Sequence, residues 1–269
     1  MNDSKLKVLK NENCAERTYR IRLENFELAR ESVPGQFVNV RTSDSVTPLL
    51  RRPFSIHRVD AQQGWIEVLF DVRGTGTRTL SQVSPGDFLS VLGPLGKGFA
   101  LDSKDSHTIF VAGGLGIAPF CFVSQYLRER KRSITGFYGT RTKNQLACMD
   151  EFAALEIPLI ISTEDGSLGE KGLITTPLVS YLKRQAAAEL SHTIILACGP
   201  PEMLREIQAI SRQWGIPAQL SLETYMACGM GICVGCAAAV PKPTGVEQSY
   251  KLVCKDGPIF NAEEVVIPG

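Results

Sequence analysis

This sequence has almost no net charge, only three histidines and no long apolar stretch, and each of these features argues against a class of function. Its 29 Lys and Arg residues are balanced by 28 Asp and Glu residues, so the formal net charge is only +1. That balance gives no electrostatic basis for a nucleic-acid partner, and none is predicted. The three histidines, His57, His107 and His192, are isolated along the chain. Each is interpreted as a packing or surface residue, and no Ser/His/Asp site is expected.

Membrane and secretion signals are also missing. No apolar stretch approaches the roughly eighteen residues that a membrane-spanning helix needs. The opening residues, Met1 to Lys5, are not followed by the apolar segment of a secretory signal. Four cysteines are scattered along the chain: Cys14, Cys121, Cys148 and Cys198. Three of these four are expected to be reduced core residues. A cytoplasmic protein with no membrane partner is therefore predicted.

The first part of the chain, residues 1–102, has the pattern of short strands separated by turns. Period-two alternation predicts strands at residues 17–23, 36–41, 54–59 and 65–72. Turns are predicted at Gln63-Gly64, at Pro85-Gly86-Asp87 and at Gly93 to Gly96. Several short strands without long helices predict a closed antiparallel β-barrel.

From about residue 107, buried strand patterns alternate with helical ones. The expected strands are residues 108–112, 134–138, 158–162, 193–197 and 218–222. Helices are expected to about residue 130, around 149–156 and 173–187, and from Pro200-Pro201 to Gly215. This alternation predicts a Rossmann-like parallel sheet with helices on both faces. Three domains follow: residues 1–102, 103–222 and 223–269.

Four cysteines in the C-terminal region form the most specific motif. Cys228, Cys233 and Cys236 have C-x4-C-x2-C spacing, and Cys254 follows after seventeen more residues. This is the spacing of plant-type [2Fe–2S] sites. Gly229, Gly231 and Gly235 are expected to allow positive φ and so to let the loop wrap a cluster. Structural zinc and disulfides are the alternatives; only one C-x2-C turn is present, which disfavours zinc.

A second motif lies in the predicted barrel. Arg52-Pro53-Phe54-Ser55 is followed by Gly74-Thr75-Gly76-Thr77. An arginine can pair with a pyrophosphate in a bidentate manner, and the second segment opens a possible short helix whose free N–H groups suit a phosphate. Flavin binding is one interpretation. An edge strand that begins at a proline is the other.

Two further turns follow predicted strands, where open α/β sheets bind ligands. Gly113-Gly114-Leu115-Gly116 leads to Pro119, and the second turn is Cys198-Gly199-Pro200. The first suits a dinucleotide pyrophosphate or is only a tight strand-to-helix connection. Cys198 is either structural or a nicotinamide contact. Acidic residues in segment 162–166, near the expected adenosine ribose, favour NAD over NADP.

Taken together, the barrel and α/β motifs resemble the ferredoxin-reductase superfamily. Segments 223–236 and 250–260, which hold the four motif cysteines, resemble the electron-transfer subunits of class 1B dihydroorotate dehydrogenase. The resemblance implies that residues 1–102 form an FAD-binding domain, residues 103–222 an NAD-binding domain and residues 223–269 a domain that holds a [2Fe–2S] cluster. It also implies that FAD is bound by Arg52, Pro53, Phe54, Ser55, Leu69, Phe70, Asp71, Gly76 and Thr77, and the cluster by Cys228, Cys233, Cys236 and Cys254.

The same resemblance implies partners and a pathway. The family forms heterotetramers of two FMN-containing catalytic subunits and two chains of this kind. Electrons from dihydroorotate would pass from FMN through [2Fe–2S] and FAD to NAD+ in pyrimidine biosynthesis. Subunits of bifurcating ferredoxin:NADP oxidoreductases and of sulfhydrogenases have similar architecture. In the bifurcating oxidoreductases one ligand of the cluster is an aspartate, so the four cysteines of this sequence argue against that assignment. A zinc-stabilised interaction subunit without redox function is a further alternative.

Overall fold

The N-terminal part of the chain forms a closed six-stranded antiparallel barrel. The computed structural model describes residues 2–43, 45–101, 107–241 and 249–267. The barrel strands lie in the order β1-β2-β5-β4-β3-β6, which confirms the predicted architecture. Its elements are β1 (Asn2–Asn13), β2 (Thr18–Glu24), α1 (Phe26–Glu31), β3 (Phe37–Arg41), β4 (Arg52–Asp60), β5 (Trp65–Asp71), α2 (Thr75–Ser81) and β6 (Phe88–Leu95).

One predicted turn of the barrel is wrong. Gly93, Pro94 and Leu95 were expected in a turn, but they form the end of β6. The register of β3 against β6 shifts between Phe37 and Asn39, because β6 contains an extra residue there. A Cβ on Gly93 would lie 2.7 Å from Val38 Cγ1. The glycine and proline therefore mark a bulge in a closely packed strand, and not a chain reversal. Strand β1 was not predicted either.

The second part is a sheet with helices on both faces. Its elements are β7 (His107–Gly113), α3 (Phe120–Glu129), β8 (Ser133–Thr140), α4 (Met149–Ala154), β9 (Leu159–Thr163), β10 (Glu170–Lys171), α5 (Thr175–Leu182), α6 (Ala187–Leu190), β11 (Thr193–Cys198), α7 (Pro201–Trp214) and β12 (Ala218–Ser221). Along β7, Ile109 and Val111 pack in one core with α5 and α7, whereas Phe110 and Ala112 pack with α3. This alternation places helices on both sides of the sheet, as predicted.

Helix ends follow local signals in one case and depart from them in another. Helix α7 has proline at its first turn and ends at Gly215, whose φ of 64° is left-handed, as the sequence predicted. The helix expected over 173–187 is two helices, because Ala186 has extended backbone with ψ of 148°. A 3-10 turn over Gly114–Ile117 precedes α3.

The C-terminal region joins both other parts. Its elements are β13 (Ala237–Val240), β14 (Ser249–Leu252), α8 (Val253–Asp256) and β15 (Ile259–Asn261). Strand β15 pairs antiparallel with β12, so the sheet has the order β10-β9-β8-β7-β11-β12-β15. Gly257 also accepts a backbone hydrogen bond from Lys97, next to the barrel, at 2.6 Å. The predicted boundary near residue 102 lies outside the described residues. Among the residues that are described, no helix is long and apolar enough to span a bilayer.

Candidate functional site

A single open cleft lies where the barrel, the α/β sheet and the C-terminal region meet. Its cavity volume is about 320 Å³, which is within the range of ligand-binding pockets, and it opens to solvent. Ten of the sixteen residues predicted to contact FAD or NAD line it: Arg52, Pro53, Phe54, Ser55, Leu69, Asp71, Gly76, Thr77, Pro119 and Cys198. Residues far apart in the sequence are thus brought together on one concave surface.

Arg52 and the start of α2 form the most polar corner of the cleft. The Arg52 Nη1 atom donates to the Leu50 carbonyl at 2.6 Å, which orients the guanidinium. A Cβ on Gly76 would lie 3.3 Å from Arg52 Nε and 3.0 Å from the hydroxyl of Thr42. The Thr42 hydroxyl is buried and has no hydrogen-bond partner among the residues that the structure describes. A cation, an unpaired hydroxyl and the free N–H groups of a first helical turn therefore converge, as a phosphate requires.

Thr77 was predicted to contact FAD, and its side chain makes hydrogen bonds within the protein. Its hydroxyl accepts hydrogen bonds from the backbone N–H groups of Arg73 at 2.9 Å and Gly74 at 3.2 Å. The side chain therefore caps the turn into α2 and stabilises the loop. Its backbone and its position in the cleft wall remain available to a ligand.

Aromatic residues support the floor of the cleft from below. Phe54 lines the cleft and contacts Phe70, with ring centroids 5.5 Å apart. Phe70 is only 1% exposed and does not line the cleft, so its part is to support Phe54. Asp71 is held at the rim by Thr18, whose hydroxyl donates to Oδ1 at 2.8 Å.

The two glycine turns meet at the topological switch point, between β7 and β11. The chain leaves β7 outward to β8, and β11 returns on the other side of β7. A Cβ on Gly116 would lie 2.1 Å from the Cys198 carbonyl oxygen, and one on Gly113 would lie 2.6 Å from Pro200. These glycines allow the two turns to pack closely. Gly113, Gly114, Gly116, Gly199 and Pro200 do not line the cleft itself, and their nucleotide contacts stay a prediction.

Cys198 lies at the carboxyl end of β11, beside Ser221 of β12. Burial raises the pKa of the Cys198 thiol, the nearby Glu223 carboxylate raises it further, and a hydrogen bond with Ser221 opposes both. The thiol is therefore neutral, and it offers the cleft a small polarisable contact. Glu223 is an exposed residue within electrostatic reach of Arg73 and Asp71. Glu223 adds the only carboxylate besides Asp71 among the residues that line the cleft.

The acidic segment lies at the carboxyl end of β9. Asp165 there accepts hydrogen bonds from the backbone and hydroxyl of Ser167, at 2.9 and 2.6 Å. The Ser167 contacts lower the pKa of the Asp165 carboxyl. Its exposed carboxylate is separate from the cleft lining, and its proposed effect on nucleotide choice remains a prediction.

The four motif cysteines form two close pairs in the C-terminal region, Cys236 with Cys254 and Cys228 with Cys233. Cys236 and Cys254 are buried, with their sulfur atoms 3.2 Å apart, although eighteen positions separate them in the sequence. Cys228 accepts hydrogen bonds from the backbone N–H groups of Met230 and Cys233, both at 3.4 Å. Desolvation raises the pKa of Cys228, but these N–H groups outweigh it and lower the pKa to about 6. Such a donor set, with N–H groups directed at sulfur, fits an iron–sulfur cluster.

The backbone of this loop departs from one expectation. Gly229 and Gly231 have positive φ, at 71° and 85°, as predicted. Gly235 does not; Val234 has the left-handed φ instead, at 51°. Positive φ is costly for a β-branched residue, so the strain at Val234 is held by the surrounding cysteine loop. A Cβ on Gly235 would make only an ordinary contact, 3.7 Å from the Cys233 sulfur, so neither φ nor space requires glycine at this position.

Asn39 connects the cysteine loop to the barrel. Its fully buried side chain lies on β3 and donates to the Cys228 carbonyl at 3.3 Å. A Cβ on Gly229 would lie 2.5 Å from Asn39 Nδ2, so the contact requires glycine. Met226 lines the cleft only two residues before Cys228. The cysteine loop is therefore adjacent to the cleft.

Several cleft residues were not assigned as individual ligand contacts from the sequence, although some lie within the predicted motifs: Phe37, Arg73, Gly74, Thr75, Leu115, Ala118, Ser221, Leu222, Glu223, Thr224, Met226 and Pro258. Gly74 and Thr75 belong to the Gly-Thr-Gly-Thr segment and could have been assigned with it. Residues 221–226 directly precede the first motif cysteine, which is the one available signal for them. Phe37 and Pro258 carry none, because their approach to the cleft depends on tertiary packing.

Comparisons with known proteins match the whole chain in three consecutive parts. A family model for the FAD-binding domain of oxidoreductases matches residues 5–99, and one for the oxidoreductase NAD-binding domain matches residues 110–209. A third, for the iron-sulfur cluster binding domain of dihydroorotate dehydrogenase B, matches residues 223–266. That range includes all four motif cysteines.

Individual relatives extend over nearly the full length. The electron transfer subunit of dihydroorotate dehydrogenase B (NAD(+)) from Desulforamulus reducens is 38% identical, with 97% of each chain covered. The same subunit from Geobacillus kaustophilus is 39% identical, with 94% of each chain covered. A solved structure of an NADH-dependent reduced ferredoxin-NADP oxidoreductase, described for flavin-based electron bifurcation, is 29% identical with a TM-score of 0.84; the match covers 99% of this chain and 91% of that one.

Proposed function

Because the chain belongs to the family of electron-transfer subunits of dihydroorotate dehydrogenase B, we propose that it passes electrons from a catalytic partner to NAD+. It is an oxidoreductase subunit with FAD, NAD and iron–sulfur domains. The oxidation of dihydroorotate takes place in the partner, as a step of pyrimidine biosynthesis. Zinc and disulfides are set aside, because the iron–sulfur domain contains Cys228, Cys233, Cys236 and Cys254.

One observation carries the proposal. A single cleft is lined by the Arg52–Ser55 segment of the barrel, by Cys198 at the sheet switch point, and by Met226 beside the cysteine loop. A flavin exchanges electrons singly or in pairs, whereas an iron–sulfur cluster carries one and nicotinamide accepts two. A flavin placed between the cluster and the nicotinamide can convert single electrons into a hydride. The cleft lies between the domain that holds the cysteines and the domain that matches NAD-binding proteins.

The barrel residues would hold FAD in this cleft. The Arg52 guanidinium and the first turn of α2 would bind the pyrophosphate, with Gly76 leaving space for it. Phe54 and Ser55 would contact the isoalloxazine ring from β4, together with Leu69 and Asp71 from β5. Phe70 would act indirectly by supporting Phe54.

The α/β sheet would hold the nicotinamide nucleotide. Gly113, Gly114, Gly116 and Pro119 would bind its pyrophosphate, and Cys198 with Gly199 and Pro200 would contact the nicotinamide. Acidic residues at 164–165 would favour the free ribose hydroxyl of NAD over the phosphate of NADP. The proposed domain division is residues 1–102 for FAD, 103–222 for NAD and 223–269 for the [2Fe–2S] cluster.

The cysteine loop would also dock the partner. Cys233 is exposed, and Ile232 and Val234 on either side of it are 75% and 62% exposed. Apolar side chains next to a ligand cysteine suit a surface across which electrons enter from FMN. The proposed assembly has two FMN-containing catalytic subunits and two chains of this kind, and its proposed location is the cytoplasm.

The test is dihydroorotate-dependent NAD+ reduction by the complex purified through a tag on this chain. We expect a co-purified FMN protein, iron and FAD in equal proportion to this chain, and NAD+ reduction. Intact cofactors with NADH oxidation, but no dihydroorotate activity, would refute the proposed pathway and retain the cofactor chemistry.

A bifurcating ferredoxin:NADP oxidoreductase subunit is the second candidate. The TM-score of 0.84 to such a structure favours it, whereas its 29% identity is below that of the named relatives. The same purified complex distinguishes the two. Reduction of NADP+ by reduced ferredoxin and NADH together, without dihydroorotate activity, would support the second candidate.

A further inference from the structure

A buried polar network joins the barrel to the α/β sheet close behind the cleft. At its centre is His57 of β4, which is 0% exposed. Its Nδ1 atom lies 2.7 Å from the carbonyl oxygen of Ala118, and its Nε2 atom lies 2.9 Å from Glu151 Oε2 on α4. One barrel side chain is therefore hydrogen-bonded to two different elements of the α/β part. Nδ1 must donate its hydrogen, since a carbonyl oxygen only accepts, and the hydrogen bond between Nε2 and the Glu151 carboxylate therefore requires a second proton between those two atoms.

Charged residues of the barrel keep Glu151 in place. Arg20 of β2 forms an ion pair with Glu151 Oε1, and Arg58 Nη1 lies 3.4 Å from the same oxygen. Glu67 of β5 is bound in turn by Arg22, at 2.8 Å. The second carboxylate oxygen of Glu151 is left to His57, which fixes the orientation of the imidazole ring.

The network is better suited to positioning than to metal binding. Donor atoms of His57, Cys148 and Glu151 lie within 4.8 Å of one another, which is close enough to share a metal ion. However, two guanidinium groups already neutralise Glu151, and a divalent cation beside them would be repelled. The His57 contacts are complete without one.

The hydrogen bond from His57 to the Ala118 carbonyl bears directly on the cleft, because Ala118 and Pro119 line it at the end of the glycine turn. On the barrel side, His57 follows Ser55 by two residues on β4, and Ser55 lines the cleft as well. The hydrogen bond from His57 to Ala118 thus links the wall assigned to NAD with the strand assigned to FAD. No other side-chain hydrogen bond to Ala118 is seen among the described residues.

We propose that His57 is a positioning residue for hydride transfer: its hydrogen bond to Ala118 holds the nucleotide turn at the correct distance from the flavin strand. This inference rests on the proposed function, since it assumes FAD and nicotinamide in the cleft. Hydride transfer is sensitive to the separation of the reacting atoms, and a misplacement of about 1 Å can cost about a hundredfold in rate.

Two substitutions separate the two contacts of His57. In His57→Asn, the side-chain amide can replace Nδ1 and keep the bond to Ala118, whereas the Glu151 contact is lost. In His57→Gln, the longer amide can replace Nε2 and keep the Glu151 contact, whereas the Ala118 bond is lost. Both remove the imidazole and both lower stability, so a purely structural role predicts similar effects.

The measurement is the rate of FAD reduction by NADH in stopped flow, on complexes with matched FAD and iron content. We expect His57→Gln to slow this step by about tenfold to a hundredfold, with little change in the KM for NADH. We expect His57→Asn to remain within about threefold of the unmutated complex despite a lower melting temperature. Glu151→Gln, which keeps a hydrogen-bond partner for Nε2, should also react normally.

Equal rates in the two His57 variants, whether both normal or both slow, would overturn the proposal. Should the His57→Gln complex not assemble, His57→Asn decides: a normal rate supports the positioning role, and a slow one contradicts it. Failure of the proposed function is distinguishable, since it would appear as an absence of dihydroorotate-dependent NAD+ reduction in the unmutated complex, whereas the His57 variants are compared only in the reduction of FAD by NADH.

Discussion

Arg52→Ala tests the assignment of the cleft to FAD most directly. The Leu50 carbonyl orients the guanidinium of Arg52, which faces the start of α2 beside Gly76. Removal of this side chain deletes two charge-assisted hydrogen bonds to a pyrophosphate. Each contributes about 1.5 kcal/mol at the lower end of the usual range, which is appropriate for a cleft open to solvent. The loss of about 3 kcal/mol corresponds to a roughly hundredfold weaker FAD affinity.

The neighbouring arginine provides a matched control. Arg51 points away from the cleft: its Nη2 atom lies 2.8 Å from Asp3 and 2.8 Å from the Ser90 hydroxyl, and its Nη1 atom donates to the Asn39 carbonyl at 3.3 Å. Arg51→Ala removes the same charge from the same strand entry. It should lower stability by about 1–2 kcal/mol and leave FAD affinity nearly unchanged.

The assay is titration of the FAD-depleted complex with FAD, followed by flavin fluorescence, with iron content and melting temperature measured on the same samples. Arg52→Ala should weaken FAD binding and retain iron. An unchanged FAD dissociation constant in Arg52→Ala, or an equal loss of affinity in Arg51→Ala, would refute the assignment of the phosphate corner.

Two further predictions concern the cluster and the partner. Cys254→Ser should abolish bound iron and retain most FAD, with Cys14→Ser as the control that keeps both; equal loss of iron and FAD would contradict the proposed domain division. Ile232→Asp should weaken co-purification of the catalytic subunit without loss of iron, because it puts a charge into the proposed docking surface.

Local chemistry was predictable wherever the reason for a residue lies within a few neighbours. The period-two strands of the barrel, the alternation along β7 and the end of α7 at Gly215 follow from backbone preferences and burial. The same reasoning failed at Gly93-Pro94, because a turn and a strand bulge use the same residue types. It also misplaced a positive φ, which the structure assigns to Val234 and not Gly235.

By itself, the sequence determined the chemical capacities of this protein. The spacing of Cys228, Cys233, Cys236 and Cys254 specifies a cluster loop because such ligands must lie on one tight segment, with one partner from elsewhere. Tertiary structure alone decided how those capacities are combined. The approach of Pro258 to the cleft, the Asn39 bond to the cysteine loop and the His57 contact with Ala118 join residues far apart in the chain. Contacts of this kind depend on the packing of whole domains, and no short-range pattern encodes them.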